Sequence, residues 1–128
     1  MAYRVLIVDD EETILRALSQ HFTRRGFVVE CAQEREEAEA LLSHGTFDLL
    51  FADVRLTGFS SVEGLELVGF ARHRFPDIRV VLLTGFGSPE VEATARRLGA
   101  DAYLTKPVRL AELESLAVEL LERPREPA

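Results

Sequence analysis

Residues 47–58 read Phe-Asp-Leu-Leu-Phe-Ala-Asp-Val-Arg-Leu-Thr-Gly. Within them, Leu49 to Ala52 form an apolar run of strand length that stops at a carboxylate, Asp53, followed by a loop that contains glycine. Ligands of open parallel sheets bind just outside the carboxyl ends of the strands. Asp53 is therefore a candidate for chemistry, although taken alone it could equally well do no more than end a strand.

Apolar runs alternate with helical patterns on both sides of this stretch. The predicted strands are Val5–Val8, Phe27–Cys31, Asp48–Ala52, Arg79–Leu83 and Ala102–Leu104. The inward stripes of the predicted helices are Leu15, Leu18 and Phe22; Ala38, Leu41 and Leu42; Leu67, Val68, Ala71 and Phe75; Val91, Ala95 and Leu98; and Leu110, Leu113, Ala117 and Leu120. Ser88 and Pro89 suit the start of the fourth helix, and Gly99 suits its end. The alternation predicts one doubly wound α/β domain with a five-stranded parallel sheet, but it does not give the strand order.

The whole-chain composition excludes several classes of protein. With 128 residues, 47% hydrophobic and 29% charged, the chain is of ordinary globular type and single-domain size. A formal charge of −7 disfavours direct binding to nucleic acid. The amino-terminal apolar run has four residues and is followed by Asp9-Asp10-Glu11-Glu12, so we expect no secretory signal, no membrane span and a cytoplasmic location.

Some residues suggest no chemistry. Cys31 lies in an apolar run and is expected to be a buried, inert thiol. His21, His44 and His73 lack the spacing of metal ligands and are expected to lie at the surface without a role. We expect residues 1–121 to form the domain, and residues 122–128, which contain two prolines, to form a tail or the start of a linker.

Polar residues follow four of the five predicted strands. They are Asp9 and Asp10 after the first, Asp53 after the third, Thr84 after the fourth and Lys106 after the fifth. Three carboxylates a few ångströms apart repel one another unless a cation lies among them, and an all-oxygen set that is partly open to water suits Mg²⁺ better than zinc. The sequence therefore predicts a site for a divalent cation.

Such a site allows phosphoryl chemistry. An exposed carboxylate beside Mg²⁺ can attack a phosphoryl group and form an aspartyl phosphate. Lys106 can supply a compact positive charge to the phosphoryl oxygens, and Thr84 can donate a hydroxyl hydrogen bond to them.

Over nearly its whole length, the chain resembles the receiver domain of two-component response regulators, the CheY-like superfamily. The matching residues are Asp9-Asp10, Asp53-Val-Arg-Leu, Leu83-Thr84-Gly85 and the run Gly-Ala-Asp-Ala-Tyr-Leu-Thr-Lys-Pro from Gly99 to Pro107. The resemblance implies a flavodoxin-like (βα)5 fold with strand order 2-1-3-4-5. It also implies that Asp53 is the phosphoacceptor and that Lys106 binds the phosphoryl group and precedes a cis bond to Pro107.

The family resemblance further implies a metal set and a switch. Asp10 would contact Mg²⁺ directly, Asp9 would act through water, and the Arg55 carbonyl would complete the ligands with Asp53. Tyr103 would turn inward when Thr84 moves. A histidine kinase would donate the phosphoryl group, and helix four, strand five and helix five would contact an output domain, a partner or a second copy.

One stretch departs from the family pattern. After the strand that ends near Asp53, family members usually carry Pro-Gly and a short turn, whereas here Thr57 replaces the proline in a longer loop that runs to Gly64. We expect this loop to affect partner docking or the lifetime of the phosphoryl group.

The sequence leaves three alternatives open. Tyr103 could be an ordinary half-buried strand residue that does not switch. The chain could be a Mg²⁺-dependent phosphohydrolase with an aspartyl-phosphate intermediate, although 128 residues leave no room for a cap and a separate general acid. It could also be a binding module that keeps the fold without being phosphorylated, but the complete set of pocket residues argues against that.

Overall fold

The computed structural model describes residues 2–53, 62–85 and 88–123. Within these described residues, five strands alternate with five helices. The strands are β1 Arg4–Val8, β2 Val28–Ala32, β3 Leu49–Asp53, β4 Arg79–Thr84 and β5 Ala102–Thr105. The helices are α1 Glu12–Arg24, α2 Arg35–His44, α3 Val62–Arg74, α4 Pro89–Leu98 and α5 Leu110–Glu122.

The strands form one parallel sheet in the order β2-β1-β3-β4-β5. The doubly wound fold predicted from the alternation, and the strand order implied by the family resemblance, are both confirmed. Because all strands run the same way, their carboxyl ends share one edge. The register there places Asp53 beside Leu83 and Thr84 beside Thr105.

Two apolar layers cover the sheet, one on each face. Alternate residues of β1, β3 and β4 point to opposite faces, as the pleat requires. Leu6, Leu50 and Val80 face α2, α3 and α4, whereas Val5, Leu49 and Val81 face α1 and α5. The continuous apolar runs therefore reflect strands that are buried on both sides.

The ends of α4 follow the local sequence closely. The Ser88 hydroxyl accepts a hydrogen bond from the amide of Val91 at 3.1 Å, and Pro89 occupies the first turn. Gly99 ends the helix with a φ of 115°, in the region that favours glycine. The predicted inward position of Leu98 is wrong, because this side chain is 39% exposed.

The structure corrects three further predictions. Val62 to Gly64, assigned to the long loop, already belong to α3. Cys31 is exposed, because β2 is an edge strand whose outer residues α1 does not fully cover. His21 is not a simple surface residue: its ring is partly buried, and Nε2 lies 2.8 Å from Oε1 of Glu114, which joins α1 to α5.

Candidate functional site

The strand ends gather three carboxylates at one edge of the sheet. Asp9 and Asp10 follow β1, and Asp53 is the last residue of β3. One oxygen of each carboxylate lies within 4.8 Å of the others, which is close enough for them to share a metal ion. The three side chains differ in burial: Asp9 is 1% exposed and Asp53 is 7% exposed, whereas Asp10 is open to solvent. Asp10 is therefore the most accessible carboxylate of the three, and Asp53 is nearly enclosed.

The Lys106 ammonium lies between the two buried carboxylates. Its Nζ donates to Oδ2 of Asp9 at 2.9 Å and to Oδ2 of Asp53 at 3.2 Å. Asp9 directly follows β1, Asp53 ends the neighbouring strand β3, and the lysine follows β5. A compact cation on a flexible stem can reach both, so it offsets their mutual repulsion.

Burial and this ion pair shift two pKa values. Burial raises the pKa of Asp9 above its usual 3.8, and this outweighs the hydrogen bonds from the Glu11 amide and Lys106 that would lower it. Burial alone would lower the pKa of Lys106, but its hydrogen bond to Asp9 and the charges of Asp9 and Asp53 raise it above 10.5. Lys106 therefore stays protonated throughout the physiological range.

The remaining predicted residues that the structure describes lie on β4, on β5 and directly after β5. Thr84 ends β4 and is fully buried, and its carbonyl accepts the amide hydrogen of Lys106 at 2.7 Å. The bond between Lys106 and Pro107 is cis. Tyr103 is partly buried on β5, and within the described ranges its buried hydroxyl has no hydrogen-bond partner. The Arg55 carbonyl and the start of the long loop lie outside the described residues.

One contributor was not predicted from the sequence. The amide of Glu11 donates to Oδ1 of Asp9 at 2.9 Å and so orients that carboxylate, while the Glu11 carboxylate reaches to 4.0 Å from Nζ of Lys106. The acidic run Asp9-Asp10-Glu11-Glu12 contains the necessary signal. Because acidic residues also suit the start of a helix, that run does not by itself assign Glu11 to the site.

An apolar cleft opens beside the cluster, between α1 and the segment that leads from Lys106 into α5. It has a volume of about 410 Å³ and is lined mainly by aliphatic side chains, with Glu11 and Lys106 at its polar end.

In the part of the chain that the structure describes, no helix has the length and apolar character needed to cross a bilayer.

The sequence matches the family described as the response regulator receiver domain over residues 5–118. The chain belongs to this family. It is 37% identical over 109 residues to the photosynthetic apparatus regulatory protein RegA of Cereibacter sphaeroides, covering 85% of this chain and 58% of RegA. It is also 37% identical over 118 residues to the response regulator protein PilR of Pseudomonas aeruginosa, covering 92% of this chain and 26% of PilR. This receiver thus spans between a quarter and three fifths of the length of these two relatives.

Solved structures share the receiver fold. The receiver domain protein of Methanospirillum hungatei superposes with a TM-score of 0.89 at 31% identity, covering 95% of both chains. A response regulator from Burkholderia pseudomallei, solved with a phosphorylated aspartic acid, a calcium ion and citrate, gives 0.80 at 30% identity, covering 95% of this chain and 75% of that one. The beryllofluoride-activated NtrC4 receiver dimer gives 0.83 at 29% identity, covering 93% and 96%.

Proposed function

We propose that Asp53 accepts a phosphoryl group from the phosphohistidine of a sensor kinase. The observation that carries this proposal is the Lys106 ammonium, which lies within hydrogen-bonding distance of Asp53 while Asp9 and Asp10 complete an acidic cluster beside it. An oxygen of the Asp53 carboxylate attacks phosphorus, the bond from phosphorus to the imidazole nitrogen breaks, and the imidazole leaves with its electron pair. Lys106 then balances the charge of the new phosphoryl oxygens.

A divalent cation fits the three carboxylates, because all the donors are oxygen and Asp10 opens the cluster to water. We propose Mg²⁺, held by Asp10 directly, by Asp9 through water, by Asp53 and by the Arg55 carbonyl. The metal would supply charge neutralisation on the phosphoryl oxygens. Lys106 already partly neutralises Asp9 and Asp53, so the chain keeps these carboxylates together before a metal binds.

The readout that we propose runs through Thr84 and Tyr103. Thr84 ends β4 close to the cluster, and its hydroxyl would bond to the phosphoryl oxygens. Tyr103 lies on the neighbouring strand, and its hydroxyl has no partner among the residues described, so a different rotamer loses no hydrogen bond there. Coupled movement of the two side chains would change the surface of α4, β5 and α5.

That surface would contact an output domain, a partner protein or a second copy of the chain. We propose that a protein donor docks at the apolar cleft beside Lys106. Receivers are regulatory domains. We propose that this chain's own pocket catalyses both the phosphorylation of Asp53 and the hydrolysis of the aspartyl phosphate, without turnover of another substrate. The cytoplasmic location and the division into residues 1–121 and 122–128 stay predictions.

Labelling with acetyl phosphate tests this function. The chain is incubated with and without Mg²⁺, reduced with borohydride to convert an acyl phosphate to homoserine, and mapped by mass spectrometry. We expect Mg²⁺-dependent conversion at Asp53 and none in Asp53→Asn. The control is Asp48→Asn, which removes a carboxylate at the amino-terminal ends of the strands and should still be labelled at Asp53. Conversion at another aspartate, or equal conversion without Mg²⁺, would contradict the proposal.

A further inference from the structure

A buried arginine lies at the edge of the sheet opposite the carboxylate cluster. Arg79 is the first residue of β4 and is only 8% exposed. It extends on the same face of the sheet as Val81, toward α1 and α5. A guanidinium so far from solvent needs charged or hydrogen-bonding partners.

Its two terminal nitrogens have different partners. One lies 3.6 Å from Oδ1 of Asp101, the residue before β5, and the other donates to the carbonyl of Arg123 at 2.6 Å. Arg123 directly follows α5, and its own amide closes the last turn onto the Glu119 carbonyl at 3.0 Å. The last carbonyls of a helix lack partners within the helix, and a cation there also suits the helix dipole.

Asp101 is itself held by β4. Its Oδ2 accepts from the amide of Val80 at 2.8 Å, and its own amide donates to the Val80 carbonyl at 2.8 Å. Arg72 approaches the same carboxylate from α3, with nitrogen and oxygen 3.8 Å apart. The Asp101 carboxylate is therefore positioned by the pairing of β4 with β5, and it faces Arg79 from a fixed place.

We propose that Arg79 anchors the end of α5 to the start of β4 and the residue before β5, and so fixes the position of the last turn of α5. Asp101 acts through Arg79 as a positioning residue. Since Asp101 directly precedes β5, a displacement of β5 would reach Arg123 through two side chains, those of Asp101 and Arg79. The anchor needs no phosphoryl group, so it stands apart from the phosphoacceptor proposal.

The first test removes the guanidinium in the complete 128-residue chain. In Arg79→Met we expect the carbonyl ¹³C signal of Arg123 to move upfield as it loses a donor, and amide exchange in the last turn of α5 to quicken by about tenfold or more. Arg16→Met, which removes an exposed arginine from α1, is the matched control that leaves both readouts unchanged. An unmoved Arg123 signal with unchanged exchange would overturn the anchor. Should Arg79→Met fail to fold, Arg79→Lys keeps the charge but cannot span both partners, and the same two readouts decide.

The second test asks whether Asp101 acts through Arg79. Asp101→Asn keeps an oxygen for the Val80 amide but removes the charge, so we expect a smaller shift of the Arg123 signal and a severalfold faster exchange of the last turn. In the Arg79→Met background the same substitution should have no further effect on Arg123. Equal effects of Asp101→Asn in both backgrounds would overturn the positioning role.

Discussion

At the scale of single residues, Lys106 stands out because it is the only lysine in a sequence that has 14 arginines. A planar guanidinium suits a carboxylate that it can meet side by side, whereas a compact ammonium fits between two carboxylates on neighbouring strands. The structure places Lys106 in that position, between Asp9 and Asp53. The residue therefore serves as a counter-ion before any phosphoryl group arrives.

Removing this charge should cost stability in a way that depends on metal. In the presence of a chelator, we expect the free energy of unfolding of Lys106→Met to be about 2–3 kcal/mol lower than that of the unchanged chain. This loss is smaller than the loss expected for a fully buried ion pair, because Asp9 can take up a proton in the variant. Excess Mg²⁺ should reduce the deficit, since the metal supplies the missing charge. Urea denaturation of both chains with EDTA and with Mg²⁺ measures it, and equal deficits would show that the ammonium and the metal do not share these carboxylates.

The pH dependence of that deficit has a definite sign. Because the folded state raises the pKa of Lys106, its contribution to stability is complete below the ordinary value of 10.5 and is lost only as pH rises through the raised value. The difference between the chain and Lys106→Met should therefore stay constant from about pH 7 to 9 and shrink in stronger alkali. A deficit that already disappears near neutral pH would contradict this protonation state.

Cys31 is exposed but should react slowly. Partial burial of its thiol raises its pKa above the usual 9.0, and the nearby Glu30 charge adds to this, although a hydrogen bond with Ser19 opposes it. Since the thiolate is the reactive form, iodoacetamide should alkylate Cys31 more slowly at pH 8 than a free cysteine peptide, with the rate still rising above pH 9. A rate equal to that of the peptide would show that the local environment leaves the thiol unperturbed.

At the scale of elements, the sequence predicted the two ends of α4 correctly. It did not predict which apolar side chains a neighbouring element leaves uncovered. The Ser88-Pro89 start and the Gly99 end of α4 depend on neighbouring residues, so sequence reveals them. The exposure of Leu98 and Cys31 depends on which elements lie alongside, and an apolar pattern does not contain that information. Whether a strand lies at an edge is decided by residues far away in the chain.

The cap of α4 can be tested by deletion of one hydroxyl. Ser88→Ala leaves the Val91 amide without its acceptor and should cost about 1 kcal/mol of unfolding free energy. The matched control is Ser43→Ala, which removes a hydroxyl bonded to the Glu39 carbonyl on the exposed side of α2 and should be nearly neutral. Urea midpoints measure both, and equal losses would deny the cap a specific role.

Gly26 and Gly99 both have a positive φ. A comparison of their alanine variants distinguishes the cost of backbone strain from the cost of a steric clash. Gly26 has a φ of 92° and open space where an alanine would place its Cβ, so Gly26→Ala should cost about 1–2 kcal/mol through the backbone alone. At Gly99 a Cβ would lie 2.5 Å from Nε of Arg72, which packs over this turn, so Gly99→Ala should cost about 1–3 kcal/mol more. Thermal or urea unfolding gives both values, and a Gly99→Ala loss no larger than that of Gly26→Ala would refute the conflict with Arg72.

At the scale of the whole molecule, the parallel sheet explains why so much of the site was foreseeable. Every strand places its last residues at one edge of the sheet, so the sequence alone could group Asp9, Asp53, Thr84 and Lys106. The strand order came from family resemblance and not from the pattern. The burial of Asp53, the contact of Lys106 with Asp9 and the network around Arg79 depend on long-range geometry, which sequence periodicity does not encode.

The most direct test of the central claim follows the single lysine by NMR. The chain is labelled with ¹³C-lysine and ¹⁵N, and beryllofluoride, which mimics a phosphoryl group on a carboxylate, is added with and without Mg²⁺. We predict that the Lys106 side-chain signal and the amides of Thr84 and Tyr103 shift together, only when Mg²⁺ is present and not in Asp53→Asn. A folded chain in which Lys106 does not respond, or responds equally in Asp53→Asn, would contradict a phosphoacceptor site built from Asp53 and Lys106.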